Sequence, residues 1–215
     1  MSTYADAVPR ERSTATILGQ VMFLVSVALA FAVAGTLMGR ELDEGTARIC
    51  SFAGLGMLIV TWFAPALRQG PLGIGWLCGL ALLIGLGIGP VIGYVAEVEP
   101  GAITSAAGIT ALTVLGMAAL GFTLSKDLKS WMRPLSFVIL GCVALSLGAL
   151  IFGGLGTLSP VLSLIILVVS ALLILVDFNY VRKHATEADV VWLATGIFVS
   201  IVNIFLSLLN LSFGD

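Results

Sequence analysis

Charge is scarce in this chain. Asp, Glu, Lys and Arg make up only 10% of its 215 residues, whereas a soluble globular domain carries roughly 25%. With 59% hydrophobic residues, it has too little polar surface to stay in water. The one histidine, His184, and the scattered carboxylates give no zinc or di-iron ligand cluster. The three cysteines, Cys50, Cys78 and Cys142, fall in separate apolar segments and form no CxxC pair, so they read as small packing residues. No P-loop, GxSxG or HExxH motif occurs, and no nucleophile stands near a base. Neither an enzyme nor a bound cofactor is expected. The net charge of −2 says nothing about nucleic acid, but no basic patch with interleaved aromatics occurs, so no nucleic-acid partner is expected.

What the chain does have is long apolar runs. A membrane-crossing helix needs about 20 mostly apolar residues, and seven segments qualify: 15–38, 48–67, 71–95, 102–124, 134–155, 159–181 and 190–211. The expected fold is an all-α membrane protein, a seven-transmembrane helical bundle over residues 15–211, with tails at 1–14 and 212–215. The breaks between segments are chemically legible. Arg40 to Glu44 is a charged turn, Arg68 to Pro71 a tight connection, and Glu97 to Pro100 an acidic loop. Ser125 to Arg133 is basic, with Pro134 opening the next helix. GGLGTLSP at 153–160 is an uncharged turn, and Thr186 with Asp189 suits a helix N-cap.

Basic residues set the orientation. Arg10, Arg12, Arg68, Lys126, Lys129, Arg133, Arg182 and Lys183 fall on one side, and only Arg40 and Arg48 on the other. This asymmetry puts the N-terminus in the cytoplasm and, with seven spans, the C-terminus outside. The first segment resembles a signal peptide in its flanks, but its apolar run is too long for one. The compact length suits a prokaryotic plasma (inner) membrane.

Three features stand out within the spans. In GLGIGPVIG, Gly85, Gly89 and Gly93 recur every four residues, a stripe that lets another backbone come close. Pro90 interrupts the same helix and makes it a candidate path-lining or packing element. In span 6, Ser163, Ser170, Asp177 and His184 recur every seven residues and form one slowly drifting stripe. In span 7, Gly196, Ser200, Asn203, Ser207 and Asn210 form a heptad seam. Centring the turn near Asp189 puts Asp177 and Ser200 at equal depth, roughly 17 Å from it. Asp177 is therefore expected to face Ser200 and Asn203, with Ser170, Ser207 and Asn210 as further lining or packing candidates. An ionised carboxylate at such depth costs about 2.5–3.5 kcal/mol and by default marks function. Arg68 is the candidate counter-ion.

Four motifs carry a family resemblance in order along nearly the whole chain: GLGIGPVIG, GFTLSKDL, VDFNYVRKH and IVNIFLSLLN. Together they resemble the Bax inhibitor-1 (transmembrane Bax inhibitor motif) family. The resemblance implies a seven-helix bundle with the last helix central. It also implies a pH-sensitive calcium leak, linked in eukaryotes to suppression of cell death. In that family span 6 carries an Asp, matched by Asp177, and span 7 carries a second Asp with which it shares a proton. Here the span 7 pattern reads Ser200-Ile201-Val202-Asn203-Ile204-Phe205, so Ser200 replaces the second carboxylate. The family's frequent acidic residue in span 2 is also missing between Arg48 and Arg68. A lone Asp beside a hydroxyl cannot titrate as a coupled pair. It also offers calcium, which prefers six to eight oxygens, only a weak site. The leading expectation is a cation leak near spans 6 and 7, with Ca²⁺ as the transported ion and Asp177, Ser200 and Asn203 on its path. The alternative is a non-conducting regulatory protein of the same fold, acting through a membrane protein partner.

Overall fold

The computed structural model describes residues 13–152 and 158–213, and within them all regular structure is helical. The helices are α1 (Thr14–Gly39), α2 (Glu44–Phe63), α3 (Gly70–Val98), α4 (Pro100–Thr123), α5 (Lys129–Phe152), α6 (Leu158–Lys183) and α7 (Val190–Phe213). Six of them, all but α5, are long and apolar enough to cross a membrane. Short 3-10 turns at Pro65–Arg68 and Glu187–Asp189 lead into α3 and α7.

Local chemistry fixes the helix ends. Ser13 caps α1, and Asp43 caps α2 by accepting the Thr46 N–H at 2.9 Å. Pro100 opens α4, where its missing N–H leaves nothing unpaired. Thr186 and Asp189 form a reciprocal capping box. Gly70, with φ of 64°, makes the left-handed step into α3. The start of α5 differs from expectation. It begins at Lys129 rather than Pro134, because the Asp127 carboxylate accepts the Lys129 N–H at 2.9 Å and starts the helix early. Pro134 then sits inside the helix. The tails and most of the 153–160 turn lie outside the described residues.

The last helix is the most enclosed. α7 packs against α1, α3, α4 and α6, and its Ala194, Ile197, Phe198 and Ile204 have no solvent exposure. On the flank, α1 and α3 run side by side, with Gly85 and Gly89 touching α1 backbone. Pro90 lies in this flank, and α3 continues through it to Val98. α5 packs on α6 and touches α2 only sparsely.

Candidate functional site

The polar seam of α7 has one use in this packing. Its opposite face fills the core, and the seam is left facing a partly open cavity of about 1240 Å³ lined by α2, α3, α5, α6 and α7. Gly196, Ser200, Asn203, Ser207 and Asn210 all line it. From α6 come Ser163 and Asp177; Ser170 and His184 do not reach it.

Asp177 is 5% exposed and makes no hydrogen bond or ion pair with any described residue. Its position against α7 differs from the expected one. The carboxylate lies beside Gly196, one turn before Ser200: a Cβ at Gly196 would sit 3.4 Å from Asp177 Oδ2. The side chain thus packs against bare backbone, and no bond joins it to Ser200 or Asn203. Ser200 and Ser207 are buried, and Asn203 Nδ2 is a buried donor with no partner among the described residues. The polar tie between the two helices is at the far end, where Asn210 Nδ2 donates to Ser163 Oγ at 2.6 Å. Ser170 is fully buried away from the cavity, its hydroxyl unpartnered among the described residues.

Arg68 is not the counter-ion of Asp177. Its Nε donates to the Thr61 carbonyl at 2.7 Å and its Nη2 to the Trp62 carbonyl, so the guanidinium closes the C-terminal end of α2. Those carbonyls are left over by the helix and hold the cation nearer the rim. Arg68 still lines the cavity, with Lys129, Arg133 and Asp189. Pro90 does not line it. Among the described residues no three His, Cys, Asp or Glu side chains converge as a metal cluster.

Sequence reasoning assigned no role to Asn179, which has no solvent exposure. Positions two apart on a helix point in different directions, so Asp177 faces the cavity while Asn179 faces α4. Asn179 Nδ2 lies within hydrogen-bond distance of the carbonyls of Gly121, Leu124 and Lys126, and Oδ1 accepts the Leu128 N–H at 3.1 Å. Lys183 donates to the Ser125 carbonyl, and His184 Nε2 meets Asp127 Oδ2 at 2.6 Å. The Lys129 N–H, and then His184, hold the Asp127 carboxyl below the usual carboxylate range. The FNYVRKH end of α6 therefore clamps the connection between α4 and α5, directly beside the cavity wall that carries Asp177.

The model of the family described as "Inhibitor of apoptosis-promoting Bax1" matches residues 14–214. The chain is also similar to a protein of Vibrio cholerae serotype O1 named as an uncharacterized membrane protein. The two are 27% identical over 98% of this chain and 95% of that protein. An uncharacterized protein of Pseudomonas aeruginosa is likewise 27% identical, over 96% of this chain and 92% of its own length.

Proposed function

Because the chain belongs to the Bax inhibitor-1 family, we propose that it is a seven-span protein of a bacterial inner membrane that leaks Ca²⁺ or another cation past Asp177. The N-terminus is cytoplasmic and the C-terminus outside, following the excess of basic residues on one side. The observation that carries the reading is that Asp177 and the whole α7 seam line one cavity. Asp177 is its proton-sensitive element, because the carboxylate attracts a cation only when ionised. Ser200, Asn203, Ser207 and Asn210 supply neutral oxygens along the same wall. With one carboxylate at depth the path favours brief residence over tight binding, since calcium is held strongly only by several carboxylates. No residue is assigned a catalytic role.

Radioactive calcium uptake into proteoliposomes, read at acid, neutral and alkaline pH, tests the reading. Wild type is expected to conduct with a pH-dependent rate, and Asp177→Asn to lose that dependence. Equal flux from both proteins at every pH would overturn it. Ser200→Asp, which restores a second carboxylate one turn from Gly196, is expected to steepen the pH profile.

A second reading is favoured by Ser200 itself. The fold is kept, the pore chemistry is lost, and the protein acts by binding a membrane protein partner. Absence of flux together with a stable co-purifying membrane protein supports that reading over the first.

A further inference from the structure

The cavity is larger than a cation path requires. At about 1240 Å³ it exceeds the roughly 300–1,000 Å³ of pockets that hold drug-sized ligands. Its wall is mixed: Leu55, Leu58 and Ile84 on one side and Ile139, Leu140 and Val143 on the other are aliphatic, while the α7 seam, Asp177 and hydroxyl side chains of α2 and α5 are polar. One end is basic. Arg68 is committed to the α2 carbonyls, but Lys129 and Arg133 have no carboxylate within ion-pair distance among the described residues. Lys129 Nζ stands 5.7 Å from the centre of the Tyr180 ring. Asp189, the carboxylate nearest this end of α7, is occupied by the Thr186 N–H and hydroxyl. The wall is thin where α2 and α5 meet: the helices touch sparsely there, and the Trp62 and Phe137 rings are 5.0 Å apart.

A space of this kind, with aliphatic faces on α2, α3 and α5, cationic at one end and bordered on the bilayer side by two loosely joined helices, matches one membrane component. We infer that the cavity holds an acyl chain of an anionic phospholipid, entering between α2 and α5, with its phosphate at Lys129 and Arg133. Lys and Arg bind phosphate oxygens through charge-assisted hydrogen bonds, and basic groups at the membrane surface favour anionic headgroups. The chain distinguishes this occupant from free phosphate, because the phosphate contacts alone leave the aliphatic walls unfilled. The chain would occupy the same space as the proposed cation path, so lipid binding is expected to compete with flux, and the lipid measurements below stand whether or not the protein conducts.

The probes are phosphatidylglycerol, phosphatidylcholine and inorganic phosphate, added to the full-length protein in detergent, with the unfolding midpoint as readout. Phosphatidylglycerol is expected to raise the midpoint saturably, and the other two to leave it unmoved. The double variant Lys129→Gln/Arg133→Gln is expected to need roughly tenfold more phosphatidylglycerol for the same shift. An equal shift with phosphatidylcholine would mean bulk lipid, and an equal shift with phosphate a free-anion site. Either overturns the proposal, as does a double variant that responds like wild type. A second measurement does not depend on the variant folding: brominated-chain phosphatidylglycerol should quench the fluorescence of Trp192, which lines the cavity. The quenching is obtained as the difference between wild type and Trp192→Phe. No quenched component attributable to Trp192 means that no chain enters.

Discussion

Asn179 ties three segments together through one side chain, and its amide is the most heavily used polar group among the described residues. Its Nδ2 is shared among the Gly121 and Leu124 carbonyls at the end of α4 and the Lys126 carbonyl of the connection, and its Oδ1 takes the Leu128 N–H. Asn179→Ala leaves buried backbone groups without partners, at a cost of about 1–3 kcal/mol. The unfolding midpoint in detergent is expected to fall accordingly, and protease cleavage within 124–128 to quicken. An unchanged midpoint would show that Arg182, Lys183 and His184 hold the connection without it. Asp177 was legible in the sequence because a carboxylate inside an apolar run is costly and rare. Asn179 was not, because its partners are backbone groups more than fifty residues away, and backbone acceptors have no residue signature. The Gly196 contact was missed for a related reason. A hairpin estimate places the right face of α7 but fixes depth only to within about a turn, and one turn decides which residue of the seam the carboxylate meets.

At the scale of the elements, the closest contact is α1 against α3. A Cβ on Gly85 would lie 2.2 Å from the Ala32 carbonyl oxygen, and one on Gly89 would lie 2.5 Å from the Gly39 carbonyl carbon. Both obstacles are backbone, which cannot turn aside as a side-chain tip can, so the helices themselves must separate. Gly85→Val is expected to cost at least the upper part of the 1–3 kcal/mol typical of overpacking. Gly75→Ala on the same helix meets nothing within 4 Å and is expected to gain up to about 1 kcal/mol from helix propensity. Unfolding midpoints of the two variants should move in opposite directions; a shared direction would mean that α1 and α3 are not in contact. The four-residue glycine stripe predicts close packing and says nothing of its partner, which only the contact with Gly35 and Gly39 identifies. Helix extents were legible from apolar run length to within a few residues for α1, α3, α4 and α7. α5 was not, because its first turn is basic and is started by a side-chain bond from Asp127.

For the whole molecule, α5 decides how many times the chain crosses the membrane. Its sequence is the weakest candidate, since Lys129 and Arg133 occupy its first turns. Its packing supports the proposed seventh crossing. Lys129 lies over Tyr180, near the end of α6, while Ile139 joins Ile166, Val169 and Leu173 in one apolar cluster deep along the same helix. α5 therefore runs antiparallel to α6 and descends beside it. A helix that follows a spanning neighbour through its apolar middle is at the same depth as that neighbour. Backbone at that depth is stable only as helix or inside protein, which α5 satisfies. Seven crossings put the two termini on opposite sides, and six put them on the same side. On the proposed orientation, with a cytoplasmic N-terminus from the distribution of basic residues, alkaline phosphatase fused after Ser212 is expected to be active and green fluorescent protein at the same place dark. The reverse pair would mean that α5 does not cross. In that case the cavity wall it forms with α2 would lie in a reentrant segment, and the path past Asp177 would open to one side only.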